Sequence, residues 1–277
     1  MVAGMGTRLD QIVAATRRRV ADAKSSVDVR QLERKAQAHV PRGFRRALAH
    51  SNLTGAAVIA ELKRASPSRG LIRADFDPAH LAGELETAGA AALSVLTDEE
   101  FFQGSLENLR YASGSTRLPC LRKDFIVDEF QLLEARAYSG DAILLIVAVL
   151  SQDELIALAM KARALGLDTL CEAHDEEELL RALDAGCDLI GVNNRNLHTF
   201  EVDPQTTLRL AELIPQNVMA AAESGIENGS DIARLRAAGY QAFLIGESLM
   251  RAKSPGEALR SLLAEAAREP SQLNAKS

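Results

Sequence analysis

Residues 142–194 read AILLIVAVLSQDELIALAMKARALGLDTLCEAHDEEELLRALDAGCDLIGVNN. Three short apolar runs, AILLIVAV, DTLCEA and LIGVNN, are separated by QDELIALAMKARALG and EEELLRALDAG, two stretches rich in Ala, Leu and Glu with helical period. A run of this length is too short to span a bilayer and has the composition of a strand buried on both faces. Strands that alternate with helices pair in parallel through right-handed crossovers.

The same unit recurs on either side. AVIAEL (57–62), AALSVL (91–96) and PCLRKDF (119–125) precede it, and VMAAAE (218–223) and AFLIG (242–246) follow. Each start lies one strand, one helix and two short loops beyond the last, and eight such units close a (β/α)8 TIM barrel of the α/β class. Periodicity alone also admits an open doubly wound sheet, but no GxGxxG fingerprint follows the first run, which favours the barrel. Residues 7–40 are rich in Arg, Lys, Glu and Ala, with Leu9, Ile12, Val13, Val20 and Leu32 at loosely helical spacing, so helices are predicted outside the main body, interrupted at Pro41 and Gly43. The expected organisation is one domain over 1–277, with a helical extension over 1–50, the barrel over 57–262 and a flexible polar tail over 268–277.

The chain has 277 residues, 47% hydrophobic and 25% charged, which is a globular composition. A net charge of -6 gives no general attraction to nucleic acid or to an anionic membrane, so neither is expected as a partner and any anionic ligand must be held locally. Cys120, Cys171 and Cys187 are odd in number and lack CxxC spacing, so they are read as buried thiols in a reducing compartment. The opening residues lack the apolar core of a signal peptide, and a cytoplasmic location is the expectation. His39, His50, His80, His174 and His198 show neither HExxH nor clustered ligand spacing; surface or helix-cap roles are expected of them, with no metal.

Catalytic groups of a parallel barrel sit at the carboxyl ends of its strands. Period-two alternation sends Glu61 and Lys63 to one face, and Lys123 to the inner face with Leu121 and Phe125. Later strands end in Glu172, in Asn193, Asn194 and Arg195, and in Glu223 and Ser224, so one rim collects several charges. Glu172 is expected to pair with Lys123 and Lys63. AAESGI and FLIGESL place Gly225 and Gly246 where helices begin, leaving free backbone N–H groups suited to a phosphate. Charges around one partly desolvated cavity perturb one another's pKa values, which points to an enzyme without naming a reaction.

IAELKRASPSRG (59–70), LRKDFIVDEFQLLEAR (121–136), GVNNRNLHTF (191–200), AAESGI (221–226) and AFLIGESLMR (242–251) resemble indole-3-glycerol-phosphate synthase, in order and across nearly all of residues 7–262. The ExKxxSPS and NxRxL patterns carry most of that likeness. The resemblance implies ring closure of 1-(2-carboxyphenylamino)-1-deoxyribulose 5-phosphate to indole-3-glycerol phosphate with loss of carbon dioxide and water, and no cofactor. It implies Lys123 as general acid, Glu172 in proton transfer during dehydration with Glu61 and Asn193 in support, and Lys63 as a contact for anionic groups that also protonates the leaving hydroxyl. Ser66, Phe125 and Arg195 match positions at the anthranilate end. Ser224, Gly225, Gly246 and the amide of Glu247 match the phosphate cradle beside Glu223, with Leu144 and Leu244 as apolar wall. The family commonly has a small hydroxyl residue where this chain has Glu247, whose side chain is expected to turn to solvent while its N–H serves the phosphate. The N-terminal extension resembles the family's extra helix over the barrel mouth, and is expected to close on substrate. Association with other enzymes of tryptophan biosynthesis is compatible with this role and leaves no mark in the sequence. Two other readings are a phosphoribosylanthranilate isomerase, which does not need the strand-one ExKxxS set together with Glu172, and a non-catalytic binding subunit, which needs no such rim.

Overall fold

The computed structural model describes residues 7–197, 199 and 201–268; His198 and the expected tail past Arg268 lie outside the described residues. Eight parallel strands close a barrel in sequential order: β1 (Ala57–Leu62), β2 (Ala92–Leu96), β3 (Cys120–Lys123), β4 (Ala142–Ile146), β5 (Asp168–Ala173), β6 (Leu189–Asn193), β7 (Met219–Glu223) and β8 (Ala242–Ile245). Each is followed by an outer helix, and β8 pairs back onto β1 with Ala57 opposite Ala242. The expected barrel is therefore present.

Alternation along each strand divides the core in two. Val58, Ala60 and Leu62 face outward into the layer shared with the helices, with Leu93, Val95, Ile143, Leu145, Ile190 and Val192. Ala57, Ile59, Leu121, Leu144, Leu170, Leu189, Ala221 and Leu244 fill the interior. The next inward position on β1, β3, β5 and β7 is Glu61, Lys123, Glu172 and Glu223, and on β6 Asn193 follows after the inward Gly191, so the barrel interior changes from apolar to polar and charged at one level.

The N-terminal extension runs around the barrel. Helix α1 (Arg8–Ser26), opened by a capping box between Thr7 and Asp10, leans Leu9 and Ile12 into the interior cluster at the mouth. Helix α2 (Val29–Ala38) packs along the helix Glu129–Ala137, joined by Val20, Leu32 and Phe130. Helix α3 (Phe44–Asn52) seals the opposite end with Phe44 and Leu48, both fully buried, and the Arg45 amide donates to Asp168 at the start of β5. A short antiparallel pair after β1, Ala65–Ser66 with Gly70–Leu71, has no counterpart in the sequence reading; two residues per strand are too few for alternation to register.

The cysteine expectation needs correction. Cys120 is a buried free thiol, its pKa pushed up to about 12 by burial, but Cys171 and Cys187 are paired as a disulfide with Cα atoms 6.5 Å apart. Cys171 faces outward on β5 and Cys187 precedes β6, so their separation of 16 residues is one strand-and-helix unit, which brings two distant positions together without any CxxC spacing.

Candidate active site

A cavity of about 740 Å³ opens at the carboxyl ends of the strands. All fifteen residues that the sequence put forward line it: Glu61, Lys63, Ser66, Lys123, Phe125 and Leu144, then Glu172, Asn193, Arg195, Glu223, Ser224, Gly225, Leu244, Gly246 and Glu247. Two glycines open room for the carboxylates. A Cβ on Gly191 would collide with Oε1 of Glu223, and one on Gly246 would lie 2.5 Å from Oε1 of Glu61.

The charged floor holds two lysine–carboxylate pairs. Lys123 Nζ lies 3.1 Å from Oε2 of Glu172 and 3.8 Å from Oε2 of Glu223, while Lys63 Nζ lies 2.7 Å from Oε1 of Glu61. The expected pairing of Glu172 with Lys123 is thus observed, and the one with Lys63 is not, because Lys63 is held by the carboxylate two residues before it on its own strand. Burial alone would depress the Lys123 ammonium, but Glu172, Glu223 and Glu61 outweigh it and hold the pKa above the ordinary lysine range. Burial would raise Glu172, yet Lys123 and His174 hold it well below the carboxylate range. Glu61 is likewise lowered, by Lys63 and Lys123 against its burial. Glu223 goes the other way: burial and the charge of Glu172 push it well above the ordinary value, so of these carboxyls it is the one that keeps its proton to the highest pH. Its Oε1, buried against Gly191, has no hydrogen-bond partner among the described residues.

One side of the mouth is apolar and aromatic. Phe102 and Phe125 stand with ring centroids 6.4 Å apart, and Leu9, Ile12, Leu144 and Ile146 complete that wall. Phe102, from the short helix Glu99–Phe102 after β2, is missing from the sequence reading, since a loop helix of four residues offers no period to read. The other side is built from backbone. Ser224 and Gly225, both on the cavity lining, have positive φ, +63° and +75°, which turns the chain sharply where β7 ends, the kind of turn in which successive amides form an anion-binding concavity.

Glu247 departs from expectation. Its carboxylate does not turn to solvent: Oε1 lies 3.0 Å from Nε of Arg69 and 3.6 Å from Arg251, and Oε2 lies 3.8 Å from Arg195. Three guanidinium groups draw it back across the mouth, and Arg69 and Arg251 are site residues that the sequence reading missed. Asp124 lines the rim, but its carboxylate is engaged by Arg122 at 3.0 Å, Thr97 at 2.8 Å and Arg19 of α1 at 3.1 Å. Asn194 is turned to the scaffold, accepting from the Thr207 amide and donating to the Ser224 carbonyl. His174, read as a surface or cap residue, stands half-buried behind Glu172, with Nε2 3.2 Å from Oε1 of that residue. His39 reaches Asp141 at 3.1 Å on the opposite end of the barrel, whereas His50 and His80 are exposed.

No helix among the described residues is long and apolar enough to cross a membrane. Solved structures share the architecture at low identity: KGPDC from Streptococcus mutans, 11% identical, superposes with a TM-score of 0.59 over 78% of this chain and 99% of that one, and thiamine phosphate pyrophosphorylase from Pyrococcus furiosus, 15% identical, with 0.58 over 76% and 95%. Such likeness concerns the fold alone. Sequence comparison goes further. The chain is 60% identical over 259 residues to the indole-3-glycerol phosphate synthase of Koribacter versatilis, covering 94% of this chain and all of that one. It is 49% identical over 256 residues to that of Burkholderia ambifaria, covering 92% and 98%. The profile of the family described as Indole-3-glycerol phosphate synthase matches residues 9–262, the span that holds both the lysine–carboxylate floor and the helix over the mouth, and the chain belongs to that family.

Proposed function

We propose that the chain converts 1-(2-carboxyphenylamino)-1-deoxyribulose 5-phosphate to indole-3-glycerol phosphate with release of carbon dioxide and water, as a carbon–carbon lyase of tryptophan biosynthesis. The observation that carries this reading is the Lys123–Glu172 pair at 3.1 Å on the floor of a cavity with an aromatic wall on one side and an amide-lined turn on the other. A substrate with an anthranilate ring at one end and a phosphate at the other suits that polarity.

In this reading the ring stacks against Phe102 and Phe125 with Ser66 and Arg195 beside its carboxylate, and the phosphate lies against the amides of Ser224, Gly225, Gly246 and Glu247. Leu144 and Leu244 exclude water between the two ends. As the carboxylate-bearing ring carbon attacks the ribulose carbonyl, Lys123 donates a proton to the oxygen that becomes a hydroxyl, and carbon dioxide then leaves from that same ring carbon, which restores the aromatic ring. Dehydration then removes a proton from the neighbouring sugar carbon to Glu172 while Lys63 protonates the leaving hydroxyl. Two protons are given and one is taken, which matches conversion of a carboxylate to neutral carbon dioxide. Glu61 holds Lys63 in place, Asn193 steadies the strand end by accepting from the Arg195 amide, and Glu223, whose carboxyl keeps its proton to higher pH than an ordinary glutamate, can donate to a sugar hydroxyl. With this go the finer readings of one working domain over 1–277 and a cytoplasmic site of action.

The test mixes purified protein with that substrate and follows indole fluorescence together with carbon dioxide release, with Lys123→Ala as control. Both signals, lost in the control, are the expected result. Tight substrate binding by a folded wild type that gives neither signal would overturn the reading in favour of a binding subunit.

A further inference from the structure

Behind the catalytic floor lies an arrangement that the reading above leaves unused. His174, the first residue after β5, sits between two carboxylates. Its Nε2 is 3.2 Å from Oε1 of Glu172, and its Nδ1 is 2.9 Å from Oε2 of Glu178, which also accepts from the His174 amide at 2.9 Å. Glu178 lies in the first turn of the helix Glu176–Asp184, which is capped by Asp175, so the outer carboxylate is fixed by secondary structure. The imidazole side chain is 11% exposed and lies outside the cavity lining. The line Glu178–His174–Glu172–Lys123 therefore runs from a helix start on the barrel wall to the reacting centre.

We infer that His174 is a positioning residue for the reaction: it holds one oxygen of Glu172 from behind, so that the other oxygen faces Lys123 and the cavity as an ionised base. This rests on the reading of Glu172 as the group that takes the substrate proton. Glu172 is bracketed by charge, with Nε2 of His174 at ion-pair distance from Oε1, 3.2 Å, and the Lys123 ammonium 3.1 Å from Oε2, so turning the carboxylate would draw it away from both cations. The charges facing the imidazole are those of Glu172 on β5 and Glu178 on the helix. On the same helix as Glu178, the Arg181 guanidinium is turned to the carbonyls of Val147 and Leu150 in the turn after β4. Glu172 itself is faced by Lys123, by Glu223 and more distantly by Glu61. Burial opposes the imidazolium, but the two carboxylates outweigh it and raise its pKa to about 10, so it stays charged through the neutral range.

Two variants of the full-length protein test this, His174→Gln, which keeps a donor and removes the charge, and Glu178→Gln, which removes the outer anchor. The ionisation of Glu172 is followed by carboxyl 13C NMR without substrate, with Glu172→Gln assigning the signal, and kcat and KM are measured across pH. In the wild type Glu172 stays ionised to the lowest pH at which the protein is folded. In His174→Gln its midpoint rises by about 1–3 units toward the ordinary carboxylate range, the acid limb of kcat moves up with it, and KM is unchanged. Glu178→Gln shifts both in the same direction by less, and decides the matter if His174→Gln does not fold. An unmoved Glu172 midpoint, or a kcat lowered by the same factor at every pH, overturns the inference. A wild type inactive on this substrate sinks the proposed reaction, while the NMR midpoint still decides whether His174 controls Glu172.

Discussion

Glu223 and Glu172 are both buried glutamates within reach of one lysine, yet their pKa values move in opposite directions, and the difference is one of neighbours. Glu172 has cations on two sides, whereas Glu223 meets Glu172 itself and a more distant ammonium. A glutamate whose folded pKa is raised binds a proton that the unfolded chain has already lost, so its contribution to stability falls as pH rises from the unfolded value, about 4.3, toward the folded one. Glu223→Gln lacks that loss. The variant is expected to match the wild type in Tm near pH 4 and to exceed it increasingly as pH rises, which thermal unfolding across pH will show. The glycines facing these carboxylates set a second expectation. Gly246→Ala forces the Glu61 side chain to move and takes Lys63 with it, and a displacement near 1 Å at a reacting group costs on the order of 100-fold in kcat/KM. Steady-state kinetics on the purified variant measures it. At this scale the sequence was highly legible for residues that alternate inward at strand ends, because period two fixes their direction. It was silent on Arg69 and Arg251, whose roles depend on which loop meets which, and it misjudged His174, which stands behind Glu172, and Glu247, because three arginines distant in sequence converge there.

Helix α1 is amphipathic in an unusual sense: one flank enters the cavity and another carries the ion pairs that hold it there. Leu9 and Ile12 touch the interior, while Arg19 donates to Asp98 at 3.1 Å and to Asp124 at 3.1 Å, both of them buried carboxylates at the rim. Asp124 follows Lys123 directly, so the helix is tied to the strand end that presents the proposed general acid. Arg19→Ala is expected to raise KM several-fold and to lower kcat, with Arg19→Lys intermediate because a point charge cannot serve both carboxylates as a fork does. Equal KM for all three proteins would show that α1 takes no part in holding substrate. Strands and outer helices of this fold were readable from their repeat, but the direction of α1 was not, since nothing local tells a helix which rim of a barrel it will cross.

Across the whole molecule, the extension is fastened at the other end as well. Asp141, fully buried just before β4, accepts from the Arg42 amide at 2.7 Å, from the Arg42 guanidinium at 2.6 Å, from the Cys120 amide at 2.7 Å and from His39 at 3.1 Å. Those partners hold its pKa below the ordinary range despite burial, so its contribution is present above about pH 3.9 and is lost as pH falls through the lower folded value. Asp141→Ala strips one partner from a buried pair and is expected to cost about 3–5 kcal/mol in urea unfolding at neutral pH, with kinetics little changed in the fraction that remains folded. The barrel as a whole was legible because eight repeats of one unit leave few other ways to bury the strands, whereas this clamp joins residues 99 apart and leaves no local trace. The path of the extension has a consequence for synthesis on the ribosome. Helices α1 to α3 emerge first, yet the groups that hold them, Asp98, Asp124, Asp141 and Asp168, are made tens to more than a hundred residues later. Until the chain through β5 has left the exit tunnel these ties are incomplete, so the extension, made before the barrel, settles fully only with it, and the apolar faces of Phe44 and Leu48 are what a chaperone would meet in the interval.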